Sequence, residues 1–358
     1  MNTRVVVALL IVLAGAAALF MIPEPPSPED LSAGAPATRV LQPLPSALQG
    51  GPNACLPCHA QVVDEWRRSM HSQAFTDPQV RAPEQSDNFR KTECLPCHAP
   101  RPVFAFGIEE GTRVLARGTR QHDGIDCLSC HDLGNGHIAG TMSFPDAACV
   151  PQAEPRLSTP ALCAPCHDQH NLHQEWLVSP AAERGQDCNS CHMPHVQRPA
   201  ANGLPAREGR SHDFPGGRDR EFAVAGLELS AELDAEQREL IVQLTNTFAA
   251  HNLPSDSRNR ALDLVVTLRD LSGRALPAIP DLGDRHPGGE TGTARQRFRN
   301  PYRSSGNPST QLPAGETAEL RVPVEGAVSA EVEVYYKLQP WIPDSEAAWK
   351  LRQVLDLP

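Results

Sequence analysis

Five copies of Cys-x-x-Cys-His constrain this chain more than anything else in it. They are Cys55/Cys58/His59, Cys94/Cys97/His98, Cys127/Cys130/His131, Cys163/Cys166/His167 and Cys188/Cys191/His192. Two thiols three residues apart can add to the two vinyl groups on one edge of a haem, and the next imidazole then lies under the iron as proximal ligand. Zinc needs only thiolate pairs, so it gives no reason for a His after every second Cys. The motifs therefore predict five covalently bound c-type haems, attached through those ten cysteines.

Only Cys149 remains of the 11 cysteines, and a single Cys closes no intramolecular disulfide. Nothing cationic flanks it, so it reads as a small buried side chain rather than a reactive thiol. Haem is attached to such motifs outside the bacterial cytoplasm, and an export signal is present. Arg4 precedes an uncharged apolar run over residues 5–22. That length is short for a bilayer span and long for the apolar part of a cleaved signal. The small residues of 14–18 keep cleavage open, but an uncleaved anchor is the favoured reading. Arg4 before the run and Glu24, Glu29 and Asp30 after it put the remainder on the periplasmic side of the inner membrane.

The formal net charge of −11 becomes more acidic once haem propionates are counted, which disfavours nucleic acid as a partner. Redox proteins of basic surface are better suited. The 32 basic residues include only three Lys (Lys91, Lys337, Lys350), so Arg forks dominate and are suited to propionates.

The expected fold is mixed, in four segments. Residues 1–22 are the anchor or signal. Residues 23–50 are a Pro-rich tether with no apolar periodicity. Residues 51–218 hold all five motifs, and with poor periodicity and aromatics at 5% of the chain they are expected to fold as short helices and loops around haem. Residues 219–358 change to period-two alternation, in stripes from Leu227, Leu240, Leu262, Ala318 and Val332. Such stripes, separated by turn signals, predict antiparallel strands and a small β-sandwich. Residues 280–315, rich in Gly, Pro, Arg and Ser, read as a long loop.

A short sequence recurs. Glu65-Trp66-x-x-Ser69 follows the first motif and Glu175-Trp176-x-x-Ser179 the fourth, each read as a helix leaving a haem. The first copy has His71 where the second has Ala181. His71 has no other evident reason to be there, and His137 lies across a Gly-rich loop from His131, suited to reaching a neighbouring haem.

Several segments together resemble the multihaem cytochromes c related to the nitrifier tetrahaem cytochrome c-554. They are the first motif with Trp66-x-x-Ser-x-His71, the block Cys188-Asn-Ser-Cys-His-Met-Pro, and Ser211-His212-Asp-Phe-Pro-Gly-Gly. Members with a C-terminal β domain carry Asn-x-x-Ala-Gly-His-x-x-Pro-Thr-Gly, which Asn246-Thr-Phe-Ala-Ala-His251-Asn-Leu-Pro-Ser resembles, with Ala250 in place of Gly and Ser255-Asp256 in place of Thr-Gly. The resemblance spans about residues 51–270. It implies His71, His137, His212 and His251 as distal ligands. For a fifth, His173 on the second Trp helix ranks ahead of His122, with His170 and His195 behind, and His286 reads as solvated. Met70, Met142 and Met193 sit in no convincing ligand loop.

Haems ligated by two imidazoles are closed to substrate and of low potential. The expectation is therefore a periplasmic, membrane-anchored electron carrier rather than an enzyme. The alternative is an oxidoreductase with one open haem acting on a small nitrogen or sulfur compound.

Overall fold

Where apolar periodicity is weak, the chain forms one- and two-turn helices. The computed structural model describes residues 41–78, 80, 94–106, 108, 113–168, 171–255, 260–282, 289, 292–300 and 306–358. The apolar run 5–22, most of the tether, His170 and His286 lie outside the described residues. Among the described residues no helix is long and apolar enough to cross a membrane.

The motif region holds α1 (Pro52–Cys55), α2 (Ala60–Arg68), α3 (Met70–Gln73), α4 (Leu95–His98), α5 (Val103–Phe106), α6 (Cys127–His131), α7 (Ala164–His167), α8 (Leu172–Leu177), α9 (Pro180–Glu183) and α10 (Cys188–His192), followed by α11 (Arg220–Ala225). Ser69 ends α2 and starts α3 by accepting from the Ser72 N–H, so His71 sits on a new helix rather than at the end of the Trp-bearing one. Two small sheets are interspersed. β1 (Ile138–Gly140) pairs in parallel with β2 (Pro151–Ala153), and β3 (His195–Pro199) forms a hairpin with β4 (Ala206–Arg210). The apolar cluster here is small, with Val103, Phe104, Ile108, Leu133 and Ala139 as its buried members.

The alternating stripes do form strands: β5 (Leu227–Asp234), β6 (Glu239–Asn246), β7 (Ala261–Arg269), β9 (Thr317–Pro323) and β10 (Ser329–Lys337), with β8 (Ala294–Phe298) and β11 (Trp349–Asp356) added. They make two antiparallel sheets, ordered β5-β6-β9 and β11-β10-β7-β8. One apolar cluster joins the sheets, with Leu240, Val242 and Leu244 of β6 packed together with Leu262, Leu264 and Val266 of β7 and Val332 and Val334 of β10. The period of two puts these side chains on the inner face of each strand.

β8 corrects the expected loop over 280–315. Its Arg295 and Arg297 hid it, because buried cations read as surface. On the outer face of the sheet Arg295 Nη1 lies 2.9 Å from Asp263 Oδ2 and Arg297 Nε 2.6 Å from Asp263 Oδ1. Lys337 Nζ joins them at 3.3 Å from Asp263 and 2.7 Å from Asp344. A carboxylate shared among cations is how such a cluster tolerates burial.

Residues 42–358 cluster as one unit, so the sandwich packs directly on the motif region. Trp349 of β11 donates from Nε1 to the Gly217 carbonyl at 2.7 Å and stacks on Tyr336 at 5.2 Å. A Cβ at Gly217 would collide with the Tyr336 ring, so only glycine allows this approach.

Candidate haem sites

On one helical turn, residues i, i+3 and i+4 share a face, so both sulfurs and the imidazole of each motif project together. The turn is closed by main-chain bonds such as His59 N–H to Cys55 O at 2.9 Å and His98 N–H to Cys94 O at 3.0 Å. Local sequence starts four of these turns in one of two ways. Pro96 and Pro165 occupy the first turns of α4 and α7. Asp126 and Asp187 instead form capping boxes with Ser129 and Ser190 on α6 and α10.

Four motif imidazoles are oriented by a main-chain carbonyl at Nδ1: His59 by Ala200 at 2.7 Å, His98 by Ala74 at 2.6 Å, His131 by Ala139 at 2.8 Å and His192 by Pro215 at 2.7 Å. A carbonyl only accepts, so Nδ1 carries the proton and Nε2 keeps its lone pair for a metal. These acceptors are backbone atoms 8 to 141 residues away along the chain, and no side-chain pattern announces them.

Three distal candidates meet motif histidines. His71 faces His167 with ring centroids 6.2 Å apart, His212 faces His131 at 6.2 Å, and His251 faces His192 at 6.4 Å. Metal–nitrogen bonds of about 2 Å, plus roughly 1 Å from nitrogen to ring centre on each side, put two imidazoles on opposite sides of one metal about 6 Å apart. Burial, reinforced by neighbouring imidazoles, pushes His71 and His212 down to about 3 and His251 to about 4. All three are therefore neutral at physiological pH, which is the form that ligates. His212 and His251 also have a carbonyl at Nδ1, Arg210 at 3.0 Å and Asn252 at 3.1 Å. Phe214 packs between two of these sites, 4.3 Å from the His71 ring and 5.8 Å from His212.

The other candidates are placed differently. His137 is half-buried with Nδ1 3.4 Å from the Val150 carbonyl, and the adjacent Cys149 feels Cys55 and Cys58 of the first motif. Its loop therefore lies beside that motif, though its ring faces no motif histidine among the described residues. His173 stacks on Trp176 at 5.7 Å and also faces no motif histidine there. His122 is 75% exposed beside Asp123, and His195 is 54% exposed with Nδ1 3.0 Å from Glu208.

Cysteine side chains of different motifs touch: Cys55 with Cys127, Cys97 with Cys166, and Cys163 with Cys188. The first motif thus abuts the third, the second the fourth, and the fourth the fifth. Buried Arg117 ties the second motif to the third, donating to the Pro100 carbonyl at 3.3 Å and Ser129 Oγ at 3.2 Å, with Asp126 at 3.1 Å. This arginine is engaged by protein atoms, a role its residue type alone did not reveal.

The attachment turns, the carbonyl-oriented imidazoles and the facing rings all suit haem. Sequence comparison agrees: residues 54–132 match the family described as cytochrome c554 and c-prime. No protein of curated function matches the chain in sequence. The fold is similar to the crystal structure of a penta-heme cytochrome c552 from Thermochromatium tepidum, with a TM-score of 0.58 at 20% identity, covering 84% of this chain and 97% of that one. Over residues 54–132 the chain is thus similar to cytochrome c554 and c-prime, and in fold it is similar to a penta-heme cytochrome.

Proposed function

We propose that the chain holds five c-type haems, one per motif, and carries electrons between redox proteins on the periplasmic side of the inner membrane. Each haem supplies a one-electron iron couple, which two imidazole ligands keep at lower potential than a thioether would. The observation that carries this reading is the set of three facing histidine pairs at 6.2 to 6.4 Å. Their residues do three things. In the His131/His212 and His192/His251 pairs a carbonyl at Nδ1 fixes the tautomer, burial keeps these four imidazoles and His71 neutral, and a second imidazole opposite the first closes each position to substrate.

We read His71, His212 and His251 as distal ligands opposite His167, His131 and His192. His137 is the distal candidate beside the first motif. His173 stays a weaker candidate, because its ring lies on Trp176. The cysteine contacts join the first motif to the third and the second, fourth and fifth to one another, and Arg117 ties the second to the third, which supports attachment points in one connected series, as a carrier needs. The apolar run 5–22 behind Arg4 supports export and a membrane anchor.

Three measurements on the purified full-length protein test this. Its denatured mass should include five haems, its oxidised paramagnetic resonance spectrum should be wholly low-spin, and the reduced protein should not bind carbon monoxide. A stoichiometric high-spin signal with rapid carbon monoxide binding would replace the carrier reading with an enzyme having one open haem.

A further inference from the structure

The recurring Glu-Trp-x-x-Ser has no role in haem attachment, yet both copies make matching contacts. In the first, Trp66 Nε1 donates to the Ile125 carbonyl at 2.7 Å. Ile125 immediately precedes Asp126, which caps the helix carrying Cys127, Cys130 and His131. One residue earlier, Glu65 reaches the opposite side of the same site. Its Oε2 accepts the His212 main-chain N–H at 2.9 Å, and its Oε1 accepts Arg198 Nε at 2.9 Å. Arg198 Nη2 donates in turn to the Arg210 carbonyl at 2.9 Å, the same oxygen that orients His212 Nδ1 at 3.0 Å.

The second copy repeats this at the fifth motif. Trp176 Nε1 donates to the Gln186 carbonyl at 2.8 Å, and Gln186 precedes Asp187, the cap of the helix carrying His192. Glu175 Oε2 accepts the Asn252 main-chain N–H at 3.0 Å, and the Asn252 carbonyl orients His251 Nδ1 at 3.1 Å. Ser69 and Ser179 end the two Trp-bearing segments by capping the next helix. In each copy, adjacent residues of one helix hold both sides of a neighbouring histidine pair. The Trp holds the motif turn and the Glu holds the distal loop.

We propose that Glu65-Trp66 and Glu175-Trp176 are positioning clamps, which set the spacing and orientation of the His131/His212 and His192/His251 pairs. The clamp rests on the reading of those pairs as axial ligands. Each glutamate makes charge-assisted bonds to main-chain groups, which are stronger than neutral ones, and each indole fixes the opposite wall. Because the clamp helices follow the first and fourth motifs, each site is braced by the element that emerges from the motif touching it.

The test uses paramagnetic resonance and a redox titration of the purified holoprotein, with haem content checked by mass. Glu65→Ala should shift one low-spin signal and its midpoint, namely the centre that His212→Met alters. Glu175→Ala should shift a different one, the centre that His251→Met alters. Glu65→Gln and Glu175→Gln keep an acceptor oxygen and should restore most of each shift while retaining all haems. The clamp is overturned if the alanine variants leave every signal in place, or if both disturb the same centre or all centres alike. If the methionine variants alter centres and the glutamate variants do not, the clamp alone fails. If the methionine variants alter nothing, the ligand reading fails and the clamp with it.

Discussion

His192 and His251 lie face to face at 6.4 Å with their rings 12° from parallel, although one belongs to a motif helix and the other to a loop of the β-sandwich. The sandwich therefore contributes a side chain that faces the fifth motif. The loop is held from both sides. Asn246 Nδ2 donates to the His251 carbonyl at 2.8 Å, and the Ala181 N–H donates to the Ala249 carbonyl at 3.1 Å. Ala181 stands where the first repeat has His71, so that position serves docking in one copy and faces a motif histidine in the other.

Replacing His251 by Ala is expected to convert one centre to high-spin and leave the others low-spin. The sandwich should stay folded, since its buried cluster lies between the sheets and does not include this loop side chain. Paramagnetic resonance with far-ultraviolet circular dichroism reads both effects. An unchanged low-spin spectrum would remove His251 from the ligand set.

Asp263→Asn is expected to destabilise the sandwich by about 3–5 kcal/mol, because it leaves buried cations without their shared carboxylate. Arg295, Arg297 and Lys337 all converge on it. Denaturant unfolding followed by circular dichroism measures the loss. A cost below about 1 kcal/mol, the scale of a surface pair, would show that the cluster contributes little.

Gly124→Ala is expected to cost about 2 kcal/mol or more, since it combines a left-handed backbone with a collision. Gly124 has φ 61°, and an added Cβ would strike the His71 and Ser72 carbonyl oxygens. Gly51→Ala has a similar φ of 63° but meets the tip of the Arg120 side chain, which can move. It should be the milder of the two. Thermal unfolding of the holoproteins ranks them, and the opposite order would contradict this packing.

Protein made without haem attachment should keep the sandwich and lose the motif region. The sandwich has its own apolar cluster, whereas the motif region buries only Val103, Phe104, Ile108, Leu133 and Ala139 as a cluster among the described residues. Limited proteolysis with mass analysis should give a protected fragment beginning near residue 219 and rapid cleavage across 94–192. Equal protection of both regions would show that side chains alone can support the motif fold.

Haem attachment was legible in the sequence because it is local. Two thiols and an imidazole at i, i+3 and i+4 need only one helical turn, and that turn can be read wherever it occurs. The five alternating strands were legible for the same reason, their period of two being set by backbone geometry. Which imidazole faces which was decided only by tertiary structure. His71 meets His167, His212 meets His131 and His251 meets His192 through contacts between segments distant in sequence, and the acceptors that orient His131, His192, His212 and His251 are main-chain carbonyls with no side-chain signature. β8 was missed because Asp263 makes it possible to bury Arg295 and Arg297, and only a partner brought in by folding gives those residues an interior role. Glu65 and Glu175 were visible as a repeat, but their purpose emerged only once α2 and α8 were packed against the loops they hold.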